Sequence, residues 1–322
     1  MGAHDNHLLR MIDDKTRLAG SNRMELLLFS VSDQETFGIN VFKVREVCEM
    51  IAPTPAPNLP SSVEGLISLR GNIIPVFDLA LCLDVPRREG PGKLIVTEFS
   101  GHTQAFHVGD VDRIVRVDWT EVKAPRSVLM QGAGLVTAVT ELPPLPGSTR
   151  GRLVSILDVE QILSNVIGEE AIPRFDPVED EVALRSVFFA DDSSLARKRI
   201  TEVLDGLKVA HNHAVNGAEA WTKLRAQADA AQASGTPLHN TLGLILLDAE
   251  MPEMDGYVLT RNIKSDRRFD GIPVVMHSSL SSVANQKLGQ QVGVDAYVPK
   301  FKPDDLAQAI RRMLQTAPLQ GA

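Results

Sequence analysis

Three carboxylates, a hydroxyl and an ammonium stand just past apolar runs in this chain, where side chains can meet at one edge of a sheet. Asp191 and Asp192 follow Val187-Phe188-Phe189-Ala190, and Asp248 ends the run 242–247 ahead of a rigid Met251-Pro252 turn. Ser278 follows Val274-Val275-Met276-His277, and Lys300 follows Ala296-Tyr297-Val298-Pro299. Singly, each has a bland reading: Asp and Ser at strand-to-helix junctions cap helix amides, and a Lys is solvated. In a parallel sheet, however, all strand ends share one edge, so these residues converge there. Separate helix caps would not need this set of groups in this order.

Convergent carboxylates repel one another, and a hard divalent cation with oxygen ligands relieves the repulsion. The expected chemistry is phosphoryl transfer to Asp248. A carboxylate is a poor nucleophile until the phosphoryl group is positioned and its charge neutralised, by Mg2+ for the most part and by the Lys300 ammonium in addition. Ser278 reaches a phosphoryl oxygen only after transfer. Tyr297, beside it on the neighbouring strand, then turns into the space Ser278 leaves, which makes a two-state switch. A half-buried strand Tyr is the plain alternative for Tyr297.

The elements that must position these residues begin near residue 186. Strands over 186–190, 208–211, 242–247, 272–277 and 296–298 alternate with helices over 194–204, 217–233, 256–264, 281–292 and 303–315. That alternation implies an α/β fold with a five-stranded parallel sheet and right-handed crossovers. Before it, short strand-like runs at 24–31, 37–41, 71–77, 94–99, 104–108, 113–117, 135–139 and 153–157 are separated by turn residues and predict an all-β domain. Helices are expected over 41–50, rich in alternating charge, and over 158–167. The residues through Gly20 read as an amphipathic helical leader. Residues 168–181 mix two prolines with six acids, the composition of an extended, self-repelling linker. The expected domains are a leader over 1–23, an all-β domain over 24–167, an acidic linker over 168–185 and an α/β domain over 186–317.

Composition narrows the function. The chain has 322 residues, 43% apolar and 23% charged, as in ordinary soluble protein of two domains. Its net charge is −8, and the acidic excess lies wholly before residue 186, so no basic surface for nucleic acid is expected. No apolar run is long enough for direct membrane insertion. Cys48 and Cys82 lie apart in apolar segments and read as small core residues, while His102 and His107 have no metal-ligand spacing around them and read as structural or exposed. A cytoplasmic protein is expected.

Residues 186–317 resemble a response-regulator receiver domain, which implies the flavodoxin-like strand order. By that resemblance Asp248 is the phosphoacceptor, while Asp191, Asp192 and the backbone carbonyl of Glu250 surround Mg2+ with it. Ser278, Tyr297 and Lys300 become the switch and charge-sensing positions. Three features depart from the family pattern: Ser278 replaces the more frequent Thr, Glu250 sets an acid two residues past the acceptor, and Phe301 follows Lys300 where Pro is usual.

The front domain carries no such set. Its informative stretch is Val63-Glu64-Gly65-Leu66-Ile67-Ser68-Leu69-Arg70-Gly71-Asn72-Ile73-Ile74-Pro75-Val76-Phe77-Asp78-Leu79, a tight Arg-Gly turn between two apolar strands. With Phe37-Gly38-Ile39 and Lys43-Val44-Arg45-Glu46-Val47, it resembles the CheW-type coupling domain, which implies two SH3-like β-barrels around a common core. The resemblance puts Val44, Glu46, Val47 and Arg70 in or beneath the surface that docks the chemotaxis histidine kinase. Arg70 can equally serve structure by pairing with Glu46. Glu64 stands where Lys is frequent. The order of coupling domain then receiver is similar to that of the CheV-type chemotaxis proteins. It implies an adaptor at cytoplasmic chemoreceptor arrays, with the kinase and the chemoreceptor tips as partners and coupling modulated by phosphorylation of Asp248. No turnover is expected beyond self-catalysed phosphoryl uptake and loss. An alternative makes the receiver chiefly a phosphate sink. A Mg2+-dependent phosphohydrolase fits less well, because such enzymes usually carry Asp-x-Asp with the nucleophile first.

Overall fold

The computed structural model describes residues 23–33, 35–99, 102–123, 135–144, 151–168, 172–179, 184–278, 283–300 and 302–316. They form two compact units that divide between residues 168 and 172. Apart from Arg23, the expected leader lies outside the described residues, as do positions 169–171 and 180–183 of the linker.

The first unit contains β1 (Arg23–Ser30), β2 (Thr36–Asn40), β3 (Val44–Glu49), β4 (Val63–Leu69), β5 (Asn72–Asp78), β6 (Lys93–Phe99), β7 (His102–Val108), β8 (Asp110–Asp118), β9 (Val136–Leu142) and β10 (Arg152–Leu157). Its described residues also form helices α1 (Leu79–Leu83) and α2 (Val159–Ile167). The strands make two five-stranded sheets, ordered β8-β1-β2-β10-β9 and β3-β6-β7-β5-β4. β1 explains how they share a core. Successive side chains of a strand point to opposite faces, and this strand is buried on both. Met24, Leu26 and Leu28 face Val117, Trp119 and Ile156 inside the first sheet. Leu27 and Phe29 face a larger core with Phe77, Ile95 and Phe106 of the second sheet and Ile162 of α2. The all-β expectation and the common core hold.

The helix expected over 41–50 does not form. Val41–Lys43 is a single 3-10 turn, and Val44–Glu49 is β3, paired antiparallel with β6 from Val44↔Thr97 to Glu49↔Lys93. The burial pattern explains it: Val44 and Glu46 are buried and Arg45 between them is exposed, a period of two. The alternating charges that suggested a helix face are the two faces of a strand. By contrast, 158–167 is helical as expected, with the Asp158 carboxylate accepting from the amides of Glu160 and Gln161.

The second unit runs β11 (Ser186–Ala190), α3 (Ser194–Gly206), β12 (His211–Ala214), α4 (Gly217–Ser234), β13 (Leu242–Leu247), α5 (Gly256–Ser265), β14 (Val274–Ser278), α6 (Val283–Val292), β15 (Ala296–Pro299) and α7 (Pro303–Thr316). Its sheet is parallel with order β12-β11-β13-β14-β15, the flavodoxin-like order. β13 is buried along its whole length, as the run of six apolar residues implies for a central strand. β12 starts three residues later than expected. Val209 goes into the core and the edge strand itself is the polar His-Asn-His-Ala.

Residues 172–179 belong to this second unit. Ile172, Phe175 and Val178 pack against its core, so this part of the acidic segment is docked chain.

Candidate functional site

The carboxyl ends of β11, β13, β14 and β15 bring the expected residues together. Lys300 lies at the centre. Its Nζ donates to Asp248 Oδ2 at 2.9 Å and sits 2.9 Å from Asp191 Oδ2. Asp191, Asp248, Ser278 and Lys300 are all buried, with at most 4% of any of them exposed. One carboxylate oxygen from each of Asp191, Asp192 and Asp248 lies within 4.8 Å of the others. The backbone makes this arrangement rigid. The Asp248 amide donates to the Ala190 carbonyl at 2.9 Å, and the Lys300 amide donates to the Ser278 carbonyl at 3.1 Å. Neighbouring strand ends therefore hold the acid and the base in register.

The loop beyond Asp248 closes tightly. The Gly256 amide donates to the Ala249 carbonyl at 3.0 Å, and a Cβ at Gly256 would lie 2.0 Å from the Asp248 carbonyl oxygen. Only glycine permits that approach. Asp255 then caps α5 through the Val258 amide at 2.7 Å. Of the acids in this stretch, Asp255 plays the capping role and Asp248 does not.

Burial drives the Asp248 carboxyl well above the usual carboxylate range. The Lys300 charge opposes this, while Asp191 and Asp192 push it further up. One ammonium contacts two of three acids that cluster at a mostly buried sheet edge. A buried, all-oxygen donor set of this kind fits a hard divalent cation.

The Tyr297 ring is half-buried and its hydroxyl is buried beside Ser278 and Tyr257, without a hydrogen bond of ordinary geometry. Burial, with the Asp248 and Glu250 charges, pushes its phenol up to about 12. Glu250, half-buried, thus lies near both tyrosine hydroxyls.

In the first unit Leu69 and Asn72 pair across a two-residue turn whose Arg70 and Gly71 have φ of 49° and 85°. Positive φ at both positions belongs to the hairpin turn that favours Asn and Gly. Arg70 holds that backbone and donates to Glu46 Oε2 at 2.7 Å. Glu46 is buried and the Arg70 side chain is 66% exposed. Val44 is wholly buried and Val47 half-buried against the shared core. Of these four residues, Arg70 alone presents most of its side chain to solvent. Glu64 is tied down by Arg87, which also reaches Asp78 Oδ2 at 3.1 Å, and by His107 Nδ1 at 2.9 Å. The His107 Nε2 faces the Pro91 carbonyl at 3.1 Å, so this histidine is structural.

The family model for the CheW-like domain matches residues 25–166, and that for the response regulator receiver domain matches residues 187–311. Three Helicobacter pylori proteins resemble the chain through both domains. Chemotaxis protein CheV2 is 27% identical over 95% of this chain and 100% of its own length, and CheV1 is 28% identical over 95% and 98%. Chemotaxis protein CheV3 is 30% identical over 86% of this chain and 88% of its own length. The chain belongs to the CheV family.

Two residues that this CheV-family chain places at the site escape sequence reasoning. Arg197 of α3 donates to the Asp191 and Asp192 carbonyls at 2.9 Å each, holding the loop that presents both acids. Its place on the first turn of α3, five residues beyond Asp192, was the available signal. Tyr257 of α5 is 1% exposed, and its hydroxyl has no hydrogen-bond partner among the described residues. Burial, then Tyr297, drives its phenol far upward. Tyr257→Phe removes an unsatisfied buried group while keeping the ring. It is expected to stabilise this CheV-family chain by about 1 kcal/mol, read as a higher urea midpoint; a lower midpoint would show that the hydroxyl is bonded.

Proposed function

We propose that this chain is a chemotaxis adaptor whose first domain couples chemoreceptor tips to the histidine kinase, and whose receiver adjusts that coupling when Asp248 is phosphorylated. The observation that carries the receiver half is the buried meeting of Asp191, Asp192, Asp248 and Lys300. Domain limits of 24–167 and 186–317 fit this reading, with the receiver helped by the docked segment before it.

In the proposed reaction an Asp248 carboxylate oxygen attacks phosphorus. The new O–P bond forms as the donor's bond to phosphorus breaks, and the donor leaves with that electron pair. Asp191, Asp192, Asp248 and the Glu250 carbonyl are the residues that would hold Mg2+, which when bound supplies positive charge to the phosphoryl oxygens. Lys300 orients the Asp248 oxygen it already contacts and stays as a second positive charge. Arg197 keeps the acid loop in place. Ser278 then donates its hydroxyl to a phosphoryl oxygen, and Tyr297 loses that neighbour. The chain acts here as phosphoacceptor and adaptor, without turnover on external substrates. A position at cytoplasmic receptor arrays follows from the adaptor reading. Among the described residues, no helix is long and apolar enough to cross a membrane.

Reconstituted receptor–kinase arrays test the proposal. Kinase output is expected to change as the receiver is phosphorylated, and to become insensitive in Asp248→Asn. Unaltered output with only phosphate drain lost supports the sink in its place.

Arg70 is the proposed kinase contact of the first domain. A non-Gly residue with φ of 49° is kept at a turn that glycine fills more easily, which supports a role for its guanidinium. Arg70→Glu sets an acid beside buried Glu46 and is expected to weaken kinase binding about tenfold, or ~1.4 kcal/mol. Equal affinity by calorimetry removes Arg70 from the docking surface.

A further inference from the structure

The acidic segment ahead of the receiver has an ordered seat. Ile172, Phe175 and Val178 are partly buried against the receiver core, and Pro173, Arg174, Asp176 and Pro177 between them are exposed. A spacing of three is the repeat of a polyproline II chain, and Pro173 and Pro177 favour that conformation. Phe175 lies over Gly206 at the end of α3, where a Cβ would come 3.3 Å from its ring. The Val178 amide donates to the Leu207 carbonyl at 3.1 Å. Arg311 of α7 donates to the Asp176 carbonyl. Farther along the same chain, buried Arg185 donates to the Leu314 carbonyl near the end of α7. One helix therefore grips the incoming chain at two points.

Arg311 has a second neighbourhood. With Tyr297, Pro299, Asp305, Gln308 and Arg312 it lines a cleft of about 530 Å3 between β15 and α7. The residue that holds the strap and the tyrosine beside Ser278 thus share one cleft.

We propose that residues 172–179 are the receiver's own output element, a strap whose docking on α3 and α7 weakens when Asp248 is phosphorylated. The inference rests on Asp248 being the phosphoacceptor. When Ser278 turns to a phosphoryl oxygen, Tyr297, whose hydroxyl is already buried beside it, loses that neighbour and shifts, which opens the cleft beside Arg311. The guanidinium then has room to leave the Asp176 carbonyl, and the strap keeps its three apolar contacts and the Val178 amide bond to Leu207 alone. Because this segment joins the receiver to the first domain along the chain, its release changes the tether length between them. Two arrangements of one element, each favoured by a different state of the site, are what such coupling requires.

Linkage makes the proposal testable in both directions: whatever factor loading applies to the strap, releasing the strap must return to loading. The experiment uses the full chain with Mg2+ and beryllium fluoride, followed by hydrogen exchange at the Val178 amide and by fluorine NMR of the bound fluoride. Loading is expected to speed Val178 exchange about fivefold or more. Phe175→Ser and Arg311→Gln are each expected to bind beryllium fluoride tighter by a similar factor. Unchanged Val178 exchange with the bound-fluoride resonance present, or wild-type affinity in both variants, overturns the strap while leaving the acceptor site standing. Absence of any bound-fluoride resonance overturns the acceptor reading and the strap together.

Discussion

Asp248→Asn is expected to reduce phosphoryl uptake to background. With phosphorylated kinase as donor and Mg2+ present, the wild-type chain takes up label and the variant does not, a loss on the order of a thousandfold or more. The amide is nearly isosteric, so Lys300 retains an oxygen to donate to, and the fold survives. What disappears is the anionic oxygen that must form the bond to phosphorus. The assignment is specific because Asp191, also buried and also 2.9 Å from Lys300 Nζ, is the competing nucleophile. The two differ in place. Asp191 Oδ1 accepts from the Ser193 amide at 3.0 Å, so one of its oxygens is engaged in holding the loop. Asp248 stands between β11 and β14, with Ser278 on the adjacent strand end. Labelling that persists in Asp248→Asn and vanishes in Asp191→Asn would transfer the acceptor role to Asp191.

Lys300→Met is expected to cost about 3–5 kcal/mol of stability in the absence of divalent cation, the usual penalty for stripping a buried charge of its partner. The ammonium is 2% exposed and contacts two buried carboxylates at 2.9 Å each. Methionine keeps the stem and removes the charge, leaving three acids facing one another. The pH dependence gives the sign. The folded-state pKa of Asp248 is already raised, mainly by burial, and losing Lys300 raises it further. A carboxyl with a raised folded pKa binds its proton more tightly in the folded chain, so its contribution is present at low pH and lost as pH rises through the folded value. The variant's deficit should therefore be largest at neutral and alkaline pH and shrink in acid, where the carboxyls are protonated in both states. Urea midpoints across pH measure this. A deficit under about 1 kcal/mol, flat with pH, would mean the Lys300 pairs are solvent-screened and contribute little.

The receiver was largely legible from sequence because its signals are local. Val187–Ala190 and residues 242–247 are apolar without alternation, and only a central strand covered on both faces accommodates that. Each run ends in a residue type that chemistry requires, so the order of acids, hydroxyl and ammonium along the chain translated directly into one sheet edge. The turn at Arg70-Gly71 was legible for the same reason. The failures came where burial depended on a distant partner. Residues 41–50 carry charges at spacings that fit a helix surface. Glu46 is nevertheless buried, because Arg70, 24 residues away, neutralises it across the β4–β5 turn. Glu64 reads as an exposed departure from a family Lys until Arg87 and His107 are seen to enclose it. Tyr257 reads as an ordinary helix residue until its hydroxyl is found beside that of Tyr297.

The acidic segment makes the division plainest. The composition of its described residues 172–179 determined that they form neither helix nor sheet, since prolines and like charges act within a few residues of themselves. Whether it is tethered or docked depended on surfaces it does not contain: the bare backbone at Gly206, the carbonyl of Leu207 and the guanidinium of Arg311. The sequence by itself determined the two fold classes, their order and the convergence of Asp191, Asp192, Asp248, Ser278 and Lys300, because periodicity and strand-end chemistry are short-range. Only the tertiary structure decided which charges are buried, which tyrosine meets which, and where the incoming chain rests. Those outcomes come from pairings between residues tens to more than a hundred positions apart, whose energies exist only once the chain has folded.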